Sequence, residues 1–201
     1  FGEYELCLNL GGIANISFRA EGERRAFDIC PANMAFNHFT KELGYEYDLD
    51  GNLGRQGKVQ EELLSLLNAL EFYQQTGPKS LGREWFENDF LPLILSFQLS
   101  PEDILRTLYE HISDQLTIAV DRYPKGKILV TGGGAHNVFL IELFSEKTKH
   151  KTILPSEKII DFKEAIIFAF LGILRLRNET NCLKSVTGST QNHSGGVIYL
   201  P

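Results

Sequence analysis

Two carboxylates in this sequence stand where they could take part in catalysis. Asp28 ends a strand-like run shortly before Pro31, and a carboxylate at a strand end can accept a proton from an attacking hydroxyl or water, or hold a metal ion. Glu164 lies near the start of an otherwise apolar helical segment, where a charge is uncommon. Each residue also has a structural interpretation. Asp28 could cap the helix that follows it, and Glu164 could be a first-turn acid that interacts favourably with the helix dipole.

Two glycine-rich turns could bind an anionic ligand. In Asn9–Asn15, the Gly11-Gly12 pair would let a phosphate approach the backbone closely, and a plain hairpin turn is the alternative. In Val130–Asn137, a strand runs through three glycines into a helix, which is where α/β folds bind nucleotides. The dinucleotide pattern G-x-G-x-x-G is not met, because position 137 is Asn. A nucleotide base or ribose packed on the glycine backbone fits this turn better.

Other polar residues give weaker signals. Lys79 and Arg83 lie in one loop and could bind an anionic group or brace a site through ion pairs. From their spacing alone, two solvated loop charges are an equally good interpretation. His136 and His193 do not have the spacing of metal ligands, so no metal-binding residue is predicted.

Composition excludes several classes of protein. The 201 residues include 20 Lys plus Arg and 26 Asp plus Glu, a formal net charge of −6, whereas a nucleic-acid binder needs a basic surface. The longest apolar stretch, residues 165–176, is shorter than the about 20 residues that cross a membrane. The three cysteines are widely spaced, which suits neither a disulfide framework nor a zinc site, so reduced thiols in a cytoplasmic protein are expected. Because the chain begins at Phe1, we expect a piece of a longer protein.

Hydrophobic periodicity predicts the first half of the fold. Alternating apolar residues joined by glycine turns predict three antiparallel strands at residues 6–10, 13–18 and 25–29. Pro31 is predicted to begin a helix that ends at Leu43. Residues 44–57 are rich in turn-forming Gly and Asp and are predicted to form a loop. A helix over residues 58–70 and a short helix over 85–95 follow.

The second half predicts an α/β domain. Ser100 is expected to cap a helix that runs to Tyr123, and Asn137 is expected to cap a helix over residues 138–148. Short strands are predicted at residues 127–131, 151–154 and 197–200, and a long helix at 162–177 is apolar on most sides and is expected to lie against a sheet. The predicted fold is a single domain over residues 1–201, a mixed sheet with helices on both faces.

Taken together, seven segments resemble the anhydro-N-acetylmuramic acid kinase family, in the family's order and at its approximate spacing. They are Asn9–Ser17 (NLGGIANIS), Phe27–Asn33 (FDICPAN), Tyr47–Gly51 (YDLDG), Pro78–Phe86 (PKSLGREWF), Val130–Asn137 (VTGGGAHN), Glu164–Leu171 (EAIIFAFL) and Val186–Gly188 (VTG). Each segment is a weak signal by itself, whereas the ordered set is specific and extends over nearly the whole chain.

The resemblance implies the actin-like ATPase (ribonuclease H-like) fold, in which ATP lies in a cleft between two lobes. This chain resembles the C-terminal lobe, and the N-terminal lobe with its Gly-Thr-Ser phosphate loop is absent from it. Family members use ATP and Mg²⁺ to phosphorylate the 6-oxygen of an amino sugar, 1,6-anhydro-N-acetylmuramic acid, while a water opens the anhydro bridge. The product, N-acetylmuramic acid 6-phosphate, enters cell-wall recycling. The chain by itself is therefore expected to be inactive.

The resemblance also implies roles for individual residues. Asp28 aligns with the family's general base, and Glu164 aligns with a second acid near the sugar. The nucleotide would contact Asn9, Gly11, Gly12, Gly132, Gly133, Gly134 and Asn137. The sugar would contact Asn15, Asn33, Lys79 and Arg83. If these roles hold, Asp28 lies at the mouth of a crevice beside both glycine turns.

One departure from the family and two other functions stay open. The family usually has Thr-Gly after the base, where this chain has Ile29-Cys30, and we expect the role of Asp28 to survive this change. A non-catalytic nucleotide-binding or assembly module of the same fold is one alternative. A different sugar kinase is the other, and the segment Pro78–Phe86 argues against it. A homodimer is compatible with the apolar helices at 104–123 and 162–177, which offer more apolar surface than one small sheet needs.

Overall fold

A five-stranded mixed sheet forms the centre of the computed structural model, which describes residues 2–75 and 79–199. The strands are Leu6–Leu10 (β1), Ile13–Ala20 (β2), Glu23–Pro31 (β3), Lys127–Thr131 (β4) and Lys151–Ile153 (β5). Their spatial order is β3-β2-β1-β4-β5. The first three strands are antiparallel, whereas β4 runs parallel to β1 and β5 runs parallel to β4. The predicted mixed sheet with an antiparallel start is confirmed.

Helices connect and cover the strands. They are Asn33–Glu42 (α1), Glu61–Asn68 (α2), Glu71–Gln74 (α3), Arg83–Trp85 (α4), Leu91–Leu95 (α5), Pro101–Val120 (α6), Val138–Lys147 (α7), Glu157–Leu176 (α8) and Lys184–Thr187 (α9). Short 3₁₀ turns lie at Leu49–Gly51, Gly54–Gln56 and Gly133–His136, and a π-helical turn lies at Phe86–Phe90. No helix within the described ranges is both long enough and apolar enough to cross a membrane.

One face of the sheet carries the hydrophobic core. Along β1, Leu6, Leu8 and Leu10 are buried, and the residues between them are more exposed. Helices α1 and α6 belong to the same buried cluster. Helix α6 buries an apolar stripe, made of Ile104, Leu105, Leu108, Ile112, Leu116, Ala119 and Val120. Burial of each such side chain stabilises the fold by about 1.5–3 kcal/mol before chain entropy is subtracted.

The predicted caps set the starts of two helices that flank the functional region. The Ser100 hydroxyl accepts a hydrogen bond from the Asp103 amide at 3.2 Å, so α6 begins at Pro101. The Asn137 side-chain oxygen accepts from the Leu140 amide at 3.1 Å and begins α7. Both caps are local interactions within four residues, which is why the sequence alone predicts them.

Pro31 is not the first residue of α1, as predicted, but the last residue of β3, where it pairs with Ile13. The helix begins two residues later because the Gly12 carbonyl accepts hydrogen bonds from the Ala32 and Met34 amides at 2.8 and 3.1 Å. The prediction is wrong because the start of this helix is set by a turn that lies about 20 residues earlier in the chain.

Helix α8 contacts the sheet through Lys163 but is not packed closely against it. The helix begins at Glu157 rather than at residue 162, and none of its residues is buried. Phe168 is 70% exposed and Ile166 is 58% exposed, because α8 is apolar around most of its circumference and the described residues cover only part of it. Residues 197–199 do not form the predicted strand, and Leu200 and Pro78 lie outside the described residues.

The buried His111 predicts how stability depends on pH. Its Nδ1 lies 2.7 Å from Asn68 Oδ1 and its Nε2 lies 2.9 Å from the Tyr73 hydroxyl, so a neutral ring satisfies both partners. Burial lowers the pKa of His111 from 6.5 to about 3. Because the unfolded chain takes up a proton below pH 6.5 and the folded chain does not, this residue stabilises the fold above that pH. The stabilisation is lost as the pH falls toward 3.

We therefore expect the free energy of unfolding to decrease by about 2 kcal/mol between pH 7 and pH 5 through His111 alone. Urea unfolding of the chain and of His111→Gln at several pH values measures this difference. The substitution should flatten the pH dependence, whereas His193→Asn, at an exposed position, should leave it unchanged. Parallel curves for the chain and the His111 variant would contradict the prediction.

Candidate active site

Four polar residues form one row across the sheet, on the face opposite the core. Asp28 of β3 pairs with Asn15 of β2, Asn15 pairs with Asn9 of β1, and Asn9 pairs with Thr131 of β4. Paired residues project on the same side of a sheet, so the four side chains form a continuous polar row. Neighbouring strands lie about 4.8 Å apart, which places Asp28 about 10 Å from Asn9 along this row.

Asp28 is held by a loop from another part of the chain. Its Oδ2 accepts hydrogen bonds from the Leu81 amide at 2.8 Å and from the Ser80 hydroxyl at 3.1 Å. Its own amide donates to the Lys79 carbonyl at 3.0 Å. The side chain is only partly buried and does not cap α1, since the N-cap residue Ala32 has no side-chain hydrogen bond. Asp28 is thus a fixed, accessible carboxylate rather than a helix cap.

A β-bulge accommodates Ile29-Cys30, the departure from the family pattern. Asp28 and Cys30 face consecutive residues of β2, so Ile29 is an extra residue in β3. Both Ile29 and Cys30 are buried in the core, and burial raises the pKa of the Cys30 thiol. Where the family usually has Thr-Gly, this chain therefore has two residues that pack in the core. Asp28 stays on the polar face of the sheet.

The first glycine turn joins β1 to β2 and contacts the start of α1. Its carbonyls accept hydrogen bonds from the first amides of the helix, including Asn33 to Gly11 at 3.1 Å. In the described part of the chain, the amides of Gly11 and Gly12 donate to no other backbone carbonyl. Neither glycine has a positive φ, and a Cβ at either would meet nothing closer than 3.4 Å. Packing does not require glycine at either position. The two glycines therefore favour the interpretation that this turn is kept open for a ligand.

The second glycine turn divides into structural and open positions. Gly132 has a φ of +85°, and a Cβ there would lie 2.7 Å from Asn9 Oδ1. A Cβ at Gly134 would lie 2.8 Å from the Leu10 Cβ, so the fold itself requires both glycines. Gly133 has only Asn33 Nδ2 within 4 Å, at 3.6 Å. Of the three predicted glycines, Gly133 is the one whose missing side chain leaves space.

A cavity of about 400 Å³ lies beside this second turn. It is lined by Asn33, Phe36, Asn37, Tyr47, Asp48, Leu49, Asp50, Gly133, Gly134, His136 and Asn137. Asn33, predicted from the resemblance to contact the sugar, lines this cavity together with Gly133, Gly134 and Asn137, which are predicted to contact the nucleotide. Tyr47 and Leu49 are more than half exposed and give the cavity an apolar wall that a flat ring could cover.

A buried carboxylate holds the wall of this cavity in place. Asp48 accepts hydrogen bonds from the amides of Leu53 and Gly54 at 2.8 and 2.9 Å, and from the Tyr109 hydroxyl at 3.1 Å. Asn137 in turn donates to the Tyr109 hydroxyl at 2.6 Å. Burial raises the pKa of Tyr109, so its hydroxyl stays protonated and donates to Asp48. These bonds connect the loop at 48–54 to the glycine turn.

An open cleft of about 820 Å³ separates the sheet from α8. Asn9, Asn15 and Thr131 line its sheet side, and Lys163 and Glu164 line its helix side. Asp28 lies one strand beyond Asn15, at the edge of this cleft. Glu164 is exposed and lies on the second turn of α8 rather than in its first turn, so the interpretation of Glu164 as a first-turn acid does not describe it.

Lys79 and Arg83 do not reach the Asp28 carboxylate. The Lys79 ammonium donates to the Phe72 carbonyl at 2.9 Å and lies 4.2 Å from the centre of the Phe72 ring. Partial burial lowers the pKa of Lys79. Arg83 forms an exposed ion pair with Glu87 at 2.7 Å. Their side chains stabilise the loop, and the backbone of that loop contacts Asp28.

No group of three or more His, Cys, Asp or Glu side chains in the described ranges could hold a metal ion. The three cysteines are free, as predicted.

The sheet order is that of an actin-like ATPase fold. The activator of the 2-hydroxyisocaproyl-CoA dehydratase from Clostridium difficile, solved with bound ADPNP, is similar to this chain with a TM-score of 0.52 and 13% identity. The similarity covers 88% of this chain and 63% of that one. It concerns the fold alone, and it confirms the predicted fold class.

Sequence comparison identifies the family. A family model described as anhydro-N-acetylmuramic acid kinase matches residues 2–201. The kinase of that name from Aliivibrio fischeri is 34% identical over 99% of this chain and 58% of its own length. The one from Vibrio cholerae is 35% identical over 96% of this chain and 55% of its own length. The chain belongs to the anhydro-N-acetylmuramic acid kinase family, and it spans little more than half the length of these relatives.

Sequence reasoning missed Asp48, Tyr109 and Lys163. Asp48 lies in a quoted family segment, but only the structure reveals that it is buried. Tyr109 lies within the predicted helix, where its hydroxyl could have indicated a buried polar partner. Lys163 is the residue next to Glu164 on α8, so the reasoning that selected Glu164 would also have selected its neighbour.

Adding one methyl group at the structural glycine and at the open glycine of the second turn should change the free energy of unfolding by very different amounts. Gly132→Ala should lower the free energy of unfolding by about 2 kcal/mol or more, because it combines a positive φ with a backbone clash. Gly133→Ala should change it by less than about 0.5 kcal/mol. Denaturant unfolding of both variants measures the difference, and equal effects would contradict this division of the turn.

Proposed function

We propose that this chain is the nucleotide- and sugar-binding lobe of an ATP-dependent kinase that opens and phosphorylates 1,6-anhydro-N-acetylmuramic acid. The observation that carries the proposal is the polar row, because it puts an accessible carboxylate on the same sheet face as Asn9, which adjoins the open glycine turn. Family membership supports the identity of the substrate. The product would be N-acetylmuramic acid 6-phosphate.

The nucleotide would lie along the edge formed by the two glycine turns. Its base and ribose would occupy the cavity beside Gly133, against Tyr47 and Leu49. Its phosphates would extend toward Asn9 and the amides of Gly11 and Gly12, which are suited to anionic oxygens. This path agrees with the open space at Gly11, Gly12 and Gly133 described above.

Asp28 would act as the general base of the reaction. A water beside Asp28 attacks the anomeric carbon of the sugar and gives its proton to the carboxylate. The bond between that carbon and the bridging oxygen breaks, and the freed 6-oxygen forms a bond to the γ-phosphorus of ATP as the bond to the β-phosphate breaks and ADP leaves. The bonds to Ser80 and Leu81 occupy Oδ2 and orient the carboxylate. Phosphoryl transfer itself depends mainly on positioning and charge neutralisation.

Family members use Mg²⁺, and the donor set of this chain fits a metal held chiefly by the nucleotide. Magnesium in such sites keeps several waters and binds substrate phosphates with one or two carboxylates. Glu164, exposed on the cleft, is a carboxylate that could serve. Mg²⁺ would neutralise phosphate charge when bound. Glu164 could equally orient the attacking water or bind a sugar hydroxyl.

The role of Asp28 can be tested in a polypeptide that carries this chain together with the first lobe of the kinase. Asp28→Asn should reduce kcat by about 10²–10⁴-fold, because it removes the proton acceptor. ATP affinity should stay nearly unchanged, since Asp28 lies away from the nucleotide cavity. Asp89→Asn, the same change at an exposed position, is the control. Near-normal turnover of the Asp28 variant would remove this residue from the mechanism.

Residues 1–201 by themselves should not phosphorylate the sugar. Transfer needs both sides of the cleft to surround the phosphates and exclude water, and this chain offers one side. The measurement is the formation of the 6-phosphate from the anhydro sugar, ATP and Mg²⁺. Measurable turnover by the chain alone would contradict the assignment of this chain as one lobe of a two-lobe enzyme.

A further inference from the structure

Lys163 reaches from α8 to the end of the polar row. Its ammonium donates hydrogen bonds to Asn9 Oδ1 and, at 3.0 Å, to Thr131 Oγ1. Asn9 and Thr131 are neighbours at the ends of the parallel strands β1 and β4. The ammonium is therefore fixed at the position where both strands lead into the glycine turns.

Both of these partners of Lys163 are neutral. Among the described residues, no carboxylate lies within 4.0 Å of its ammonium. The nearby Asp161 lies 3.3 Å from His136 Nε2 instead. Burial lowers the pKa of Lys163, and the neighbouring charge of Glu164 opposes this shift. A half-buried cation without a paired anion is unfavourable, which indicates that an anionic partner is provided by a ligand.

The space beside Lys163 suits such a ligand. A cavity of about 250 Å³ lies between α8 and the second glycine turn, and its lining includes Gly132, Gly133 and Lys163 together with the carboxylates of Asp161 and Glu164. An ammonium group has three N–H donors, and Lys163 uses two of them on Asn9 and Thr131. The third N–H donor remains for a ligand group in this cavity or in the cleft. The ligand would lie next to Gly133, where any side chain would leave less room.

We propose that Lys163 binds the anionic oxygens of the nucleotide's phosphate chain. This assignment rests on the proposed function and deepens it, because it adds a positive side chain to the amides and glycine backbone that are proposed to hold the phosphates. Asn9 would then have two tasks, to face the phosphates and to orient the ammonium. No new covalent step is involved, since Lys163 acts by charge and hydrogen bonding.

A purely structural role makes a different prediction. If Lys163 only ties α8 to the sheet, its removal should loosen the helix and affect all ligands of the cleft alike. If it binds phosphates, the loss of affinity should increase with the number of phosphates on the ligand. Adenosine, ADP and the non-hydrolysable ATP analogue ADPNP therefore separate the two roles.

Calorimetric titration of a polypeptide that carries this chain together with the first lobe of the kinase, with each of these three ligands, tests the assignment. Lys163→Met should weaken ADPNP binding by about 10–100-fold, as expected for a charge-assisted hydrogen bond. It should leave adenosine affinity unchanged within about twofold. Lys163→Arg keeps the charge and should lose less affinity for ADPNP than Lys163→Met. Lys158→Met, which removes an exposed charge from the same helix, should bind all three ligands as the original chain does.

Three outcomes would overturn the assignment. Equal ADPNP affinity in the original chain and in Lys163→Met would remove Lys163 from the phosphate site while leaving the proposed function intact. Equal losses for adenosine and ADPNP would make Lys163 a structural tie. If the two-lobe polypeptide with the original sequence binds none of the ligands, this assignment and the nucleotide-binding part of the proposed function both fail.

Discussion

The register of the central sheet is the constraint on which the candidate site depends. Because side chains alternate across a pleated strand, a slip of one residue would turn Asn9 or Asn15 into the core and bring leucines to the cleft. The buried leucines of β1 prevent this slip, since exposing them would cost several kcal/mol. The residues that hold the core therefore also hold the polar row, and the bulge at Ile29 keeps Asp28 in that row.

The glycine turns have two roles. They connect the sheet to the neighbouring helix α1 and the loop at 48–54, and they form the edge at which we propose that the nucleotide binds. The carbonyls of Gly11 and Gly12 cap α1, so the position of Asn33 depends on the turn that would bind phosphate. In the second turn, Gly132 and Gly134 pack against β1, and Asn137 is tied through Tyr109 to Asp48. A ligand in either turn would contact backbone that is already fixed, which reduces the entropy lost on binding.

Helix α8 differs from the other long helix, α6, in how it is held. Helix α6 is anchored by a continuous buried stripe, whereas α8 has no buried residue and contacts the polar row through Lys163. Local opening should therefore be easier for α8 than for the core. The charge that ties this helix to the sheet is also the charge that we assign to the phosphates, so nucleotide binding and the placement of α8 should be linked.

The sequence by itself determined what depends on neighbouring residues. Alternating leucines predict β1, and Ser100 and Asn137 predict two helix starts, because each of these patterns acts within a few positions. The ordered family segments predict the fold through their resemblance to a known family. Only the tertiary structure decided that Pro31 ends a strand, that Lys79 turns toward Phe72 and away from Asp28, and that Lys163 meets Asn9 and Thr131. These contacts join residues that are distant in the chain, and their free energies depend on which groups the folded sheet brings together and shields from water.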